Sequence, residues 1–352
     1  MRCSVALFIL LILATSLMGC GREFEPYWRI DKLRLMAIKA DPIVAKQFEP
    51  VTLSALVFAP GEPEIRYHWS WCPVRVSAQD GYECPLGEDE LQGVPLDFDL
   101  GTEETATFVN PFSDEEVREF CEAIATLLIE ELGDPELAGL LPVSDCTRGY
   151  EISVRLEVET DEESIISTKR LVLWGGAEQF NENPVMADFQ IRPQDPDDLS
   201  TLITNAQWEL DESTPHDDQW ISVDPEAEDL KILLTDITME IRALVDPDSI
   251  QSFEVFSPSS PEGREEKEAL VFRYFVTQGT LGGSRQLFAP RFQEQEEATI
   301  TTFRVSANQF EEQCLEPVDG GCIARIFAIA RDGRLGVDWT DRAFLVLPAV
   351  EQ

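Results

Sequence analysis

Residues 65–71 read Ile-Arg-Tyr-His-Trp-Ser-Trp, which sets Ile65, Tyr67, Trp69 and Trp71 on one face and Arg66, His68 and Ser70 on the other. A period of two belongs to the extended strand, whose successive side chains point to opposite faces. An apolar face rich in aromatics with a polar reverse predicts a half-buried antiparallel sheet. The same alternation recurs at residues 33–39, 51–58, 152–158 and 165–173, with Asp41-Pro42 and Pro60-Gly61 as turn signals between segments. A mainly β chain follows.

One segment follows a different period. Val117, Phe120, Cys121, Ile124, Leu127, Leu128 and Leu132 recur at helical spacing. Ser113 with Glu116 three residues on is a capping box, Asp114 and Glu115 suit the positive helix end, and Gly133 and Pro135 stop the helix. A helix over about 113–132 is expected between strands, its apolar face covering one sandwich edge.

The second half repeats the first. Arg66-Tyr67-His68-Trp69 has a counterpart in Arg273-Tyr274-Phe275-Val276. The strands at 154–158 and 169–173 match those at 324–328 and 342–346. Two copies of one sandwich account for this better than one large sheet, and the length of 352 residues suits about two domains. The expected boundaries are 31–174 for the first immunoglobulin-like domain, 175–184 for a Gly- and Asn-rich linker, and 185–349 for the second.

The N-terminus carries an address. Arg2 precedes an apolar run of ten residues at 5–14, half of what a membrane-spanning helix needs, so residues 1–19 read as a signal peptide. The run ends Leu17-Met18-Gly19-Cys20, which resembles a bacterial lipoprotein lipobox. Met18 departs from the small or β-branched residue usual there. The resemblance implies an acylated Cys20 as mature N-terminus, residues 20–30 as a lipidated tether, and, with Gly21 rather than Asp next, sorting to the outer membrane. An ordinary secretory signal or an uncleaved anchor is the alternative.

Export places the remaining cysteines in an oxidising compartment, where an even number suggests disulfides. Proximity favours Cys72–Cys84, Cys121–Cys146 and Cys314–Cys322. A zinc site is the weaker alternative, since no CxxC is present and neither His68 nor His216 has ligand spacing to a thiol.

Residues 327–339, Phe-Ala-Ile-Ala-Arg-Asp-Gly-Arg-Leu-Gly-Val-Asp-Trp, are similar to the closing hairpin of bacterial immunoglobulin-like, PKD-like or cadherin-like repeats. Leu335 stands where those repeats carry glycine or a small residue. With the lipobox, the chain resembles surface lipoproteins of diderm bacteria with tandem sandwich domains, for which the resemblance supplies no activity.

Charge narrows the partners. The chain holds 67 acidic and 27 basic residues, net −40, which sets like charge against nucleic acid. Such acidity also keeps a surface solvated in salty surroundings. No HExxH, GxSxG or Walker loop is present, and Gly282-Gly283-Ser284 reads as a hairpin turn. Paired carboxylates are too abundant for any one pair to mark a glycosidase. No cofactor is expected, since acidic loops are ordinarily just solvated; calcium is the specific alternative, with candidate ligands at Asp195, Asp197 and Asp198, at Asp246 and Asp248, and at Asp332 with Asp338. The leading expectation is a non-catalytic envelope lipoprotein, held to the membrane through lipid on Cys20 and binding a protein or glycan partner or serving as a scaffold. A carboxylate-based hydrolase and a calcium-dependent adhesion module are the alternatives.

Overall fold

A computed structural model describes residues 26–61, 63–85, 97–132, 146, 149–176, 180–206, 208–210, 213–225, 229–257 and 260–349. In the first half the strands run β1 (Arg34–Asp41), β2 (Val44–Ala45), β3 (Pro50–Phe58), β4 (Arg66–Cys72), β5 (Asp99–Gly101), β6 (Ala106–Val109), β7 (Tyr150–Glu159) and β8 (Ser164–Leu173). They form sheets in the orders β1-β3-β6 and β2-β8-β7-β4-β5. The inward positions that the alternation marked meet between these sheets: Trp69 and Trp71 pack with Val51, Leu53, Phe108, Val154 and Leu156. Each buried indole N–H finds a carbonyl, Trp69 at Glu103 (3.0 Å) and Trp71 at Asp97 (2.8 Å), so neither ring carries the cost of an unpaired donor.

Helix α1 (Asp114–Leu132) is inserted between β6 and β7. Its capping box forms: Glu116 N–H donates to Ser113 Oγ at 3.3 Å, and Ser113 N–H donates to Glu116 Oε2 at 2.7 Å. The bond from the Ser113 backbone, with help from its hydroxyl, holds the Glu116 carboxyl below its usual range. Val117 and Cys121 are buried, and Phe120 meets Tyr150 edge-on at 4.9 Å. Tyr150 opens the central strand β7, so the helix meets the end of an inner strand rather than a sheet edge.

The second half contains β9 (Met186–Pro193), α2 (Asp198–Ala206), β10 (Ile221–Ser222), β11 (Lys231–Leu234), β12 (Thr238–Val245), β13 (Ser252–Ser257), β14 (Ser260–Lys267) and β15 (Leu270–Val276). It continues with β16 (Thr280–Leu281), β17 (Arg285–Phe288), α3 (Gln295–Ala298), β18 (Thr301–Arg304), β19 (Pro317–Val318), β20 (Gly321–Arg331) and β21 (Val337–Leu347). The facing sheets have the orders β10-β9-β12-β18-β16 and β11-β21-β20-β15-β17, while β13 and β14 form a separate hairpin. Tyr274, fully buried, ties the sheets together by donating to Thr299 O (2.8 Å) and accepting from Ala243 N–H (2.9 Å).

The fold is two tandem immunoglobulin-like sandwiches, the first with a helical insertion. Strand order repeats between them, and in each the short edge strand runs parallel to the last strand: Val44 opposite Val172, and Lys231 opposite Phe344. The internal match holds in register for the central strands, with Trp69 opposite Leu156 and Val276 opposite Ile326. The closing strand is displaced. Val154 faces Lys169 but Ala324 faces Phe344, two residues past the expected Arg342, a slip that keeps the same face inward.

The sandwiches lie against one another along their sheets. Met36, Ala37 and Leu56 from the outer side of β1 and β3 pack with Phe275, Phe327, Ile329 and Val337 from β15, β20 and β21. Phe58 meets Phe327 edge-on at 5.7 Å. Strand β20 is therefore buried on both faces, which is why Phe327-Ala328-Ile329-Ala330 loses its alternation. Residues 28–30, expected in a tether, also cross to the second sandwich: Ile30 N–H donates to Val276 O (2.8 Å) and Val276 N–H to Trp28 O (3.0 Å).

Candidate functional site

A concavity follows from this side-by-side packing. It is a cavity of about 500 Å³ between β1, the loop after β4 and β8 of the first sandwich and the β20–β21 turn of the second. Leu35, Met36, Ile38 and Val337 give it apolar walls, and Ser77, Tyr82, Lys169 and Arg331 supply polar groups.

The turn that closes it is built by its own sequence. Asp332 Oδ1 accepts from the backbone N–H of Arg334 and of Gly336, both at 2.7 Å, and its Oδ2 accepts from Asn181 Nδ2 at 2.8 Å. The carboxylate lies so close to Gly336 that a Cβ there would sit 2.1 Å from Oδ2. Arg334 locks the turn from behind, its guanidinium bonded to the buried Glu268 and stacked over Phe253 at 4.4 Å. Burial raises the Glu268 carboxyl above its ordinary range despite Arg334.

Leu335 consequently adopts φ +84°, a left-handed conformation disfavoured for a side chain of this size. The family likeness has glycine or a small residue here, and in this chain a leucine takes the left-handed geometry. Its carbonyl accepts a hydrogen bond from Lys169 Nζ. Arg331 Nη2 donates to Met36 O at 2.6 Å, at the point where β1 bulges. Burial pushes the Lys169 ammonium down to about 8, against a smaller opposing pull from Asp332. Burial, then the neighbouring Arg273, lowers Arg331 as well. Neither cation is ion-paired among the described residues.

The sequence did not single out these two residues. A signal for Lys169 was present, since it shares a strand face with Leu171 and Leu173, both core residues.

The carboxylates considered for calcium are placed as follows. Asp338 receives Lys39 Nζ on one oxygen (2.9 Å) and Met186 N–H on the other (2.8 Å). Asp332 is committed to its turn and to Asn181. Asp246 Oδ1 accepts from Asp248 N–H (2.9 Å) at the start of a single helical turn. Asp195 Oδ1 accepts from Asp197 N–H (3.0 Å) ahead of α2, and burial with these two neighbours raises the Asp198 carboxyl. Among the described residues no group of three or more His, Cys, Asp or Glu side chains is placed to hold a metal.

The cysteines pair as Cys72–Cys84, Cys121–Cys146 and Cys314–Cys322. His68 lies on β4 beside Asp99 (3.7 Å), and His216 hydrogen-bonds Pro193 O (3.2 Å) on the other sandwich. Gly282-Gly283-Ser284 is not a hairpin turn. It carries the chain from β16 in one sheet to β17 in the other, and Gly282 leaves no room for a Cβ against Thr302 Oγ1. Leu17, Met18, Gly19 and Cys20 lie outside the described residues, as does part of the expected linker. Within that linker Asn183 bridges the halves, donating to Ala40 O (2.8 Å) and accepting from Val337 N–H (3.0 Å).

No protein-family model matches the chain. No curated protein matches it either. Among solved structures it is similar to a chimeric titin Z1Z2 functionalized with a KLER exogenous peptide from decorin, at 10% identity over 90% of this chain and 100% of that one, TM-score 0.17. It is also similar to the three N-terminal domains of the highly immunogenic outer capsid protein of bacteriophage RB49, at 9% identity over 91% and 100%, TM-score 0.19. The sandwich architecture rests on the sheet orders above.

Proposed function

We propose that the chain is a non-catalytic lipoprotein of the bacterial outer membrane that presents its paired sandwiches for protein or glycan binding or for envelope scaffolding. The lipobox ending at Cys20 carries this reading. The disulfides fit an oxidising compartment. Among the described residues no helix is long and apolar enough to cross a membrane. The chain between Cys20 and Pro26 reaches at most about 20 Å when fully extended, so a lipid on Cys20 holds the junction of the sandwiches close to the bilayer.

The test is metabolic labelling with a fatty-acid probe and protease digestion of intact cells, with Cys20→Ala as control. Labelling of the parent chain alone supports the anchor. Labelling that persists in Cys20→Ala removes it. Digestion from outside assigns a surface role, and protection until the outer membrane is opened assigns a periplasmic one.

A further inference from the structure

We infer that the cavity between the two sandwiches is a binding site for a small organic acid, its carboxylate held by Lys169 and Arg331 and its hydrocarbon part lying against the apolar walls. The inference goes beyond the anchoring proposal and does not depend on it.

Two cations facing one cleft are unexpected in a chain of net charge −40. A charge withdrawn from water is stabilised by a partner of opposite sign, and neither cation has one at ion-pair distance among the described residues. Each gives one hydrogen bond to a backbone carbonyl, Leu335 O or Met36 O. An ammonium has three donors and a guanidinium five, so both retain capacity toward the cleft.

The cations come from different sandwiches, Lys169 on β8 and Arg331 at the end of β20, and the packing of those sandwiches brings them together. Leu335, in its left-handed conformation, turns its carbonyl onto Lys169 and fixes that side chain at the cavity wall. The charged groups facing Lys169 are Arg331 and Asp332 from the second sandwich and Arg170 on its own strand, and Tyr82 also lines the cavity.

Charge and shape choose the ligand class. Arg170, which also lines the cavity, is paired with Glu151 (3.2 Å), and the Asp332 carboxylate offsets one of the two remaining cations, leaving a balance suited to a monoanion rather than to a phosphate dianion. Leu35, Met36, Ile38 and Val337 reward burial of hydrocarbon. The volume lies within the range of small-molecule pockets, about 300–1,000 Å³.

The probe is hexanoate, added to the full chain in detergent and followed by calorimetry, with inorganic phosphate and hexylamine as comparisons. A second readout is the NMR titration of Lys169 after ¹³C reductive methylation, assigned with Lys169→Arg. Hexanoate should bind, should raise the Lys169 titration midpoint, and should bind at least about tenfold more weakly to Lys169→Met, a loss of at least about 1.4 kcal/mol. Phosphate should bind at least about tenfold more weakly than hexanoate, and hexylamine should not compete. Lys169→Met keeps the stem volume, and a thermal midpoint no lower than the parent's shows that it folds. The inference is overturned if hexanoate does not bind at about 10 mM, the affinity range of a few kcal/mol. Equal binding to Lys169→Met, or phosphate binding as tight as hexanoate, also overturns it.

Discussion

Lys39 Nζ lies 2.9 Å from Asp338 Oδ1, joining β1 of the first sandwich to β21 of the second across 299 residues of sequence. Asp338 uses its other oxygen on Met186 N–H, so one carboxylate fastens both the interface and the entry to the second sandwich. Both side chains are largely buried, with relative exposures of 21% and 17%, and losing the acceptor strands two donors at once. Asp338→Ala should therefore lower stability by about 1–3 kcal/mol, and Lys39→Met by less because Asp338 keeps its backbone donor. Urea unfolding of both variants and the double variant gives the coupling. Additive losses would show that the ion pair does not couple the halves.

The β20–β21 turn makes a sharper prediction about two glycines. Gly336→Ala forces a methyl group onto the Asp332 carboxylate and should cost about 1–3 kcal/mol. Gly333 has open space at its Cβ position, so Gly333→Ala should change stability by less than about 0.5 kcal/mol. Thermal midpoints of the two variants check the contrast, and equal losses would contradict the geometry.

Lys169 makes stability depend on pH. Its folded value of about 8 lies below the 10.5 of an unperturbed lysine. Between those values the unfolded chain holds a proton that the folded chain has released, so stability rises with pH across that window. The shift corresponds to at most about 3 kcal/mol. Lys169→Met should flatten the rise between pH 8 and 9.5 measured by urea unfolding, and it should be more stable than the parent near pH 7. Staying below 10 keeps the tyrosines, among them Tyr274 whose hydroxyl burial pushes far above its usual range, from contributing.

The disulfides close loops of different length, with sequence separations of 25 for Cys121–Cys146 and 8 for Cys314–Cys322. Chain entropy predicts losses of about 3.5 and about 2.5 kcal/mol when each is replaced by a serine pair. Comparing the unfolding midpoints of the two double variants tests the order. Peptide mapping with and without reduction reads the pairings directly.

The sandwich class was legible because strands such as β4 alternate, as at Tyr67, Trp69 and Trp71, and the helix because Val117 and Cys121 follow a capping box. Pairing of the sheets along their outer sides was harder to read. Its one trace was the unbroken run Phe327-Ala328-Ile329-Ala330, which marks a strand buried on both faces but does not name what covers the second face. The two-residue slip of the closing strand was invisible to pattern matching, since a shift of two preserves which side chains point inward. Arg331 escaped because it looks like an ordinary surface cation until the other sandwich is set against it, and the inward strand face that Lys169 shares with Leu171 and Leu173 does not by itself mark a cavity.

The pairing of Trp28 and Ile30 with Val276 decides how the molecule carries mechanical load. A pull on the chain ahead of Pro26 reaches β15 of the second sandwich before it reaches β1, although β1 comes next in sequence. The first hydrogen bonds to feel it run alongside a parallel partner, so they resist together in shear instead of opening one by one. Tension is thus shared by the two sandwiches at their point of entry, and the N-terminal segment works as a strap around the pair.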